Sequence, residues 1–112
     1  MDHYLIWINV RESRRDLEFV ENVNAYLGYL QNNNELESFT ITRRKLGWGP
    51  AELGEFMIDI RVENMAKLED IFQHVATRSG EVESLHTAVF SMVTDFKSAL
   101  YRDYPDPVRE KK

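Results

Sequence analysis

The first strong pattern in the chain is an apolar run at residues 3–10, "HYLIWINV", in which every second side chain belongs to one continuous hydrophobic face. Successive side chains of a β-strand point to opposite faces of the sheet, so this run predicts a strand. Residues 37–46 and 54–62 alternate in the same way. Residues 95–104 return to strand character after a helical stretch. The alternation therefore predicts four strands.

Between these strands the apolar residues recur at spacings of three and four, which places them on one side of a helix. One such stripe covers residues 17–30 behind Ser13, which we expect to cap the helix. A second begins after the capping residue Asn64 and ends near Gly80, and a shorter one covers residues 82–92. The predicted order, β-α-β-β-α-(α)-β, is the ferredoxin-like α+β arrangement, a four-stranded antiparallel sheet with helices on one face.

The sheet face turned away from the predicted helices carries more apolar bulk than a solvated face normally does. Leu5, Trp7 and Met57 all fall on it by strand alternation. A sheet face in water usually alternates to polar residues, although scattered apolar surface residues are common. We expect a second copy of the chain to cover this face, which predicts a homodimer.

One domain is expected over residues 1–112, because single domains commonly contain about 100–150 residues. The last eight residues, 105–112, contain two prolines and show no apolar periodicity. They predict an extended or disordered tail.

Charge and cysteine content limit the partners and the compartment. The formal net charge of −5 argues against nucleic acid and anionic membranes, which attract positively charged surfaces. The chain has no cysteine, so disulfides and thiolate sites are excluded. Its N-terminal residues lack the basic leader of a signal peptide, and no apolar stretch approaches the roughly 20 residues of a membrane span. We therefore expect a cytoplasmic protein without nucleic-acid or membrane partners.

The connection between the second and third predicted strands, "TRRKLGWGPAELGEF" at residues 42–56, contains two glycines around a tryptophan. A Walker phosphate loop needs Gly-Lys-Ser/Thr at the start of a helix, whereas here the cations precede the glycines. Pro50 can begin a short turn and Gly54 can end it. The segment therefore predicts an elaborated hairpin connection.

The three histidines give little support for a metal site. His3, His74 and His86 are far apart, and none forms a closely spaced metal-binding pair. His74 and His86 fall on predicted helices beside buried stripes, where a position at the edge of the core is the simpler interpretation. A haem or metal ligand among the three is the alternative, with His3 best placed because it shares a face with Trp7. We expect neither a metal nor a cofactor.

Strand alternation also gathers a mixed set of side chains on the face away from the helices. An apolar base with a few convergent polar groups is typical of a small-molecule pocket. Arginine pairs with carboxylates and stacks on rings, so the set favours a planar ligand with an anionic group. The candidate ligand-binding residues are Trp7, Thr42, Arg44, Met57, Arg61 and Tyr101. The alternative is a wet dimer interface in which Asp59 pairs with Arg44 or Arg61.

If the protein is an enzyme, His3 and Asp59 are the candidate catalytic residues. Either would act as a general base, while Arg44 would stabilise a developing enolate or carboxylate. Such chemistry would be independent of cofactors, because the sequence contains no recognisable cofactor motif.

The chain resembles the dimeric α+β barrels, ferredoxin-like proteins whose two sheets pack face to face. The segments "TRRKLGWGPAELGEF" and "ALYRDYPDP" are similar to those of a small uncharacterised bacterial family of similar length, and this resemblance covers essentially the whole chain. The resemblance implies the fold and a dimer. Characterised members of the wider superfamily include small monooxygenases, haem-degrading enzymes and muconolactone-isomerase-like enzymes, but no motif here selects one of them.

The sequence thus favours a homodimer that binds a small anionic or aromatic molecule in a cavity lined by the sheet. One alternative is a cofactor-independent monooxygenase or isomerase using the same face. The other is a regulatory module that senses a small molecule. Whether the protein is an enzyme stays open at this point.

Overall fold

The structure, a computed structural model, describes residues 1–109 and forms within them four strands and three α-helices. In chain order the elements are β1 (Asp2–Val10), α1 (Asp16–Asn32), β2 (Ser38–Arg43), β3 (Phe56–Val62), α2 (Met65–Ala76), α3 (Gly80–Phe90) and β4 (Val93–Arg102). The predicted β-α-β-β-α-(α)-β order is confirmed.

The four strands form one antiparallel sheet in the order β2-β3-β1-β4. In the central pair, Tyr4 lies opposite Ile60 and Ile6 lies opposite Ile58. These side chains point toward the helices, which cover this face alone. The predicted ferredoxin-like fold class is therefore confirmed.

The core lies between the helices and the even-numbered residues of the two central strands. On β3 the burial alternates strictly, with every even residue from Phe56 to Val62 buried and every odd residue partly exposed. On α1, Phe19 is completely buried, and its ring centroid lies 5.4 Å from that of Phe56. The face of the sheet that the sequence assigned to the core is the face that is buried.

The connection between β2 and β3 is longer than predicted. β2 ends at Arg43 rather than at Leu46, and β3 begins at Phe56 rather than at Gly54. Leu46 and Gly47 have positive φ angles of 58° and 66°. Two consecutive residues in the left-handed region cannot continue an extended strand, so the chain leaves the sheet before them.

The predicted helix caps are partly confirmed. Asn64 caps α2, because its side chain accepts a hydrogen bond from the backbone N–H of Lys67 at 3.0 Å. Ser13 does not cap α1. It begins a single turn of 3-10 helix, and α1 starts three residues later at Asp16, whose Oδ1 accepts a bond from the N–H of Leu17 at 2.8 Å.

The second helix ends earlier than predicted, at Ala76 instead of near Gly80. Arg78 and Gly80 have positive φ angles of 51° and 69°, which turn the chain between α2 and α3. Such angles favour glycine, so the backbone of Arg78 is strained where it forms the tight turn between the two helices.

β4 is an edge strand that starts two residues earlier than predicted. Its pairing with β1 shifts between Trp7 and Asn9, next to the positive φ of 58° at Asp95. Beyond this bulge the helices no longer cover the strand, and Leu100 on its helix side is 53% exposed.

The chain after β4 was predicted as an extended or disordered tail. Within it, Pro107–Arg109 form one turn of 3-10 helix. Residues 110–112 of that prediction lie outside the described residues. Over residues 1–109, no helix is long and apolar enough to cross a membrane.

Candidate functional site

The open face, meaning the sheet face turned away from the helices, carries most of the residues predicted to form a binding site. Cross-strand pairing sets them in two rows, Arg61, His3 and Tyr101 in one and Thr42, Met57 and Trp7 in the other. Within one chain Trp7 and Met57 are half-buried, whereas Tyr101 is 61% exposed. The open face is thus a shallow surface in a single protomer.

The polar residues of the first row form a compact ionic cluster. His3 lies between two carboxylates, with its Nδ1 3.1 Å from Asp59 Oδ1 and its Nε2 2.7 Å from Asp103 Oδ1. Arg61 donates from Nη1 to Asp59 Oδ2 at 3.1 Å and from Nε to Ser38 Oγ at 2.6 Å. The hydrogen bond that His3 donates to Asp103 raises the pKa of His3, Asp59 raises it to a smaller extent, and burial opposes both effects. The cluster therefore favours the protonated imidazole.

Arg44 does not join this cluster. It lies in the loop after β2, where its Nη2 donates to the carbonyls of Pro50 and Leu53 at 2.8 and 2.6 Å. Its side chain also fills the space beside Gly49, where an added Cβ would lie 2.8 Å from Arg44 Nε. Arg44 therefore stabilises the loop from within, whereas the sequence placed it among the site residues.

The ionic cluster sets two carboxylates against two cationic side chains. The sequence suggested two arginines against one aspartate, but the structure sets two carboxylates, Asp59 and Asp103, against Arg61 and His3. The hydroxyl of Thr42 donates to the backbone carbonyl of Met57 at 3.3 Å. Arg44, the second arginine of the predicted binding set, is bound by loop carbonyls instead.

A cavity of about 580 Å3, here called the helix-side cavity, lies on the opposite side of the sheet, between the sheet and the three helices. Tyr4, Ile6 and Ile60 line it from the central strands. Tyr26, Leu68 and Phe90 are among the residues that line it from the helices. No residue of the predicted binding set contributes to it.

The lining of the helix-side cavity is mostly apolar, but it includes the charged residues Arg78 and Glu83 and the aromatic side chains His86 and Tyr26, which carry polar atoms. His86 on α3 stacks on Phe90 with ring centroids 4.4 Å apart and meets the edge of Tyr26 at 5.7 Å. Burial lowers the pKa of His86 and raises the pKa of Tyr26 to about 12. Both groups are therefore neutral at neutral pH.

The apolar periodicity of the helices indicates residues that line this cavity, but it does not distinguish a cavity from ordinary core. The helical stripes predicted many of the inward residues, but Leu17 at the start of the first stripe is 76% exposed, and Phe19 and Tyr26, outside that stripe, are buried. His86 was interpreted as a residue at the edge of the core, and it does pack there, but its ring also lines open space. Periodicity shows where a side chain points and carries no information on how completely the space in front of it is filled.

The three histidines lie in three separate environments. His3 is on the open face, His86 lines the helix-side cavity, and His74 on α2 bonds through Nδ1 to Glu35 Oε1 at 2.8 Å. Among residues 1–109, no group of three or more potential metal ligands has the geometry to hold an ion.

Comparison with known proteins identifies a family and a fold. A family model described as "Family of unknown function (DUF6614)" matches residues 1–112. No curated protein matches the chain in sequence.

Several solved structures share the fold at low sequence identity. At3g17210 from Arabidopsis thaliana superposes with a TM-score of 0.72 at 6% identity, covering 95% of this chain and 98% of its own. A dimeric ferredoxin-like protein of unknown function from Jannaschia sp. CCS1 gives 0.66 at 9% identity, with coverages of 91% and 98%. A dimeric protein of unknown function and ferredoxin-like fold from Bacteroides fragilis NCTC 9343 gives 0.63 at 8% identity, with coverages of 91% and 95%. The resemblance to dimeric ferredoxin-like proteins is confirmed at the level of the fold.

Proposed function

We propose that this chain, which belongs to the DUF6614 family of unknown function, forms a homodimer in which each protomer binds one small aromatic molecule in the helix-side cavity. The observation that carries this proposal is the cavity of about 580 Å3 with its mostly apolar lining. Ligand sites are commonly clefts of roughly 300–1,000 Å3 with apolar and aromatic walls and a few polar groups. The absence of cysteine supports a cytoplasmic location.

The dimer is supported by the open face. Leu5, Trp7 and Met57 lie side by side there, and the helices of their own chain cover only the other face. The neighbours from Jannaschia and Bacteroides fragilis, which share the fold, are described as dimeric. Stable interfaces bury well over about 1,000 Å2, and a four-stranded sheet face is large enough to supply that area.

An aromatic ligand is favoured over an anionic one. The walls of the cavity include Tyr4 and Phe72, whose rings meet edge to face at 5.5 Å, and the stacked pair of His86 and Phe90. Planar rings pack well against such surfaces in offset or edge-to-face geometry. The arginines that suggested an anionic ligand are bound elsewhere, Arg61 by an aspartate and Arg44 by loop carbonyls.

The experiment fills the cavity and measures binding of a plain aromatic probe. Thr87 is an exposed residue of α3 that lines the cavity, so Thr87→Trp should place an indole in the ligand space. Ser84→Trp adds the same side chain at an exposed position of α3 outside the lining. With 2-methylnaphthalene as the probe, followed by ligand-observed NMR, we expect wild type and Ser84→Trp to bind and Thr87→Trp to lose at least about tenfold in affinity.

The proposal fails if the wild-type protein does not bind the probe, or if both tryptophan variants bind it as wild type does. Equal losses in the two variants would also contradict it, because they would show a general effect of the added indole.

A second candidate function is cofactor-independent monooxygenase or isomerase chemistry on the open face. It is favoured by the contacts of His3 with Asp59 and Asp103, which hold an imidazole between two carboxylates. His3 and Asp59 would transfer protons, and the dimer would enclose them with Trp7, Thr42, Met57, Arg61 and Tyr101. Oxygen consumption with 2-naphthol as the probe substrate tests the oxygenase, since His3→Gln should abolish it. A rate no faster than buffer in the wild type rules the oxygenase out.

A further inference from the structure

We infer that the ligand of the helix-side cavity is uncharged and carries one hydroxyl or carbonyl group, which hydrogen-bonds to His86 and Tyr26. This inference rests on the proposed function and specifies its ligand class. It assigns a recognition role to two side chains that the predicted site did not include.

The geometry presents both groups to the same space. His86 and Tyr26 both line the cavity, and their ring centroids are 5.7 Å apart at an interplanar angle of 81°. The near-parallel stack of His86 on Phe90, at 27°, fixes the orientation of the imidazole. The two polar edges are therefore held by rigid neighbours before any ligand arrives, which lowers the entropic cost of binding.

In the described part of the chain, neither group has a hydrogen-bond partner. Within residues 1–109 no side chain or backbone atom is hydrogen-bonded to the imidazole of His86 or to the hydroxyl of Tyr26. Yet, within the same residues, every buried side-chain nitrogen or oxygen that solvent cannot reach has a hydrogen-bond partner. The free polar atoms of these two residues must therefore open into accessible space, and the cavity is the space that both of them line.

Their charge state selects a neutral partner. Burial keeps His86 unprotonated and Tyr26 protonated at neutral pH, so each can both donate and accept a hydrogen bond. The charged residues that act on His86 are Arg78, between α2 and α3, and Glu83 on α3 itself; both line the cavity, and their charges oppose each other. An anion entering the cavity would lose its hydration without gaining a net positive field, which disfavours it.

The test compares three probes of nearly the same shape: 2-methylnaphthalene, 2-naphthol and 2-naphthoate. Wild-type protein at neutral pH should bind 2-naphthol roughly tenfold more tightly than 2-methylnaphthalene, which is the effect of satisfying polar groups by hydrogen bonding. The carboxylate of 2-naphthoate is charged at this pH, so 2-naphthoate should bind most weakly.

Two variants then assign the preference to residues. His86→Phe keeps the stack on Phe90 and removes the ring nitrogens, and Tyr26→Phe removes only the hydroxyl. Each should reduce the preference for 2-naphthol to about twofold or less. Tyr29→Phe is the matched control, because Tyr29 lies on the same helix, α1, but does not line the cavity. It should keep the full preference.

The outcomes separate this inference from the proposed function. The inference is overturned if Thr87→Trp blocks binding of 2-methylnaphthalene but the wild type shows no preference for 2-naphthol, or binds 2-naphthoate most tightly. The proposed function still stands in that case. A preference that survives both His86→Phe and Tyr26→Phe also overturns it. If His86→Phe does not fold, Tyr26→Phe and the wild-type probe series still decide. Absence of binding by any probe overturns both proposals.

Discussion

Gly54 is the position at which a single added carbon would disturb the fold most directly. A Cβ there would lie 2.4 Å from the backbone carbon and oxygen of Ile8, closer than non-bonded atoms can approach. The sequence suggested that Gly54 ends a turn. The structure gives a different requirement, since Gly54 has to let the loop lie directly against β1.

We therefore expect Gly54→Ala to destabilise the protein by about 2 kcal/mol or more, because the backbone of Ile8 cannot move aside as a flexible side chain could. Gly28→Ala should do the opposite. An added Cβ at Gly28, within α1, meets no atom within 4 Å. Replacing glycine by alanine inside a helix adds about 0.5–1 kcal/mol of stability.

Urea denaturation of the two alanine variants and wild type measures both effects in one series. Midpoints that move in the same direction for Gly54→Ala and Gly28→Ala would contradict this account of Gly54.

His3 and His86 should make opposite contributions to the pH dependence of stability. The pKa of His3 is raised in the folded state by Asp103 and Asp59, so its stabilisation is fully present below the ordinary histidine value of 6.5 and is lost as the pH rises through its folded pKa. The pKa of His86 is lowered by burial. The imidazole of His86 is therefore protonated more readily in the unfolded chain than in the folded one. The free energy of unfolding decreases for this reason as the pH falls through 6.5.

Urea midpoints measured between about pH 5 and about pH 8 for wild type, His3→Gln and His86→Phe test these signs. The advantage of wild type over His3→Gln should shrink as the pH rises. Relative to His86→Phe, wild type should gain stability over the same interval. Parallel pH profiles for all three proteins would refute both assignments.

At the level of elements, sequence periodicity predicts most of what the fold shows. β3 buries every even-numbered residue as predicted, whereas β1 buries Ile6 and Ile8 but leaves Tyr4 and Val10 partly exposed. The ends of elements were predicted less well, because they depend on positive φ angles at residues whose type does not indicate such an angle. Leu46 and Arg78 are two such residues, and each ends an element earlier than its side-chain pattern suggests.

The candidate site shows a similar division. Alternation correctly brought His3, Asp59 and Arg61 together on one face, and the contacts among them are present. It could not show that Arg44 bends back to bind loop carbonyls, because that depends on the path of the loop. Nor could it show the helix-side cavity, whose volume depends on how far the helices stand from the sheet.

The loop between β2 and β3 is an organised element in spite of its length. Trp48 donates its backbone N–H to the carbonyl of Lys45 at 3.0 Å, and Glu55 donates its own to Asn9 Oδ1 at 2.9 Å. The ammonium of Lys97 on β4 donates to the carbonyl of Glu52. The loop is thus fastened to both β1 and β4, although the indole of Trp48 is 87% exposed.

For the whole molecule, the two tryptophans distinguish the proposed interface from ordinary surface. Trp7→Asp places a charge in the middle of the open face, which a packed interface would have to desolvate. We expect this variant to be monomeric and wild type to be dimeric by light scattering at micromolar concentration. Trp48→Asp, a matched change in the loop, should remain dimeric.

A wild-type particle with the mass of one chain would refute the dimer. So would a Trp7→Asp protein that keeps the wild-type mass. Circular dichroism of the monomeric variant controls for unfolding, since the core lies on the other side of the sheet and should remain intact.

The sheet separates the helix-side cavity from the open face by one layer of backbone. Tyr4 and Ile6 face the cavity, while their direct chain neighbours Leu5 and Trp7 face the proposed interface. In the proposed dimer, the two bound ligands would therefore be separated by the two sheets and the interface between them. Cooperativity between the two sites, in either direction, would have to pass through alternate residues of the same strand. A small change in the twist of β1 on filling one cavity is the shortest path by which one half of the dimer could sense the occupancy of the other.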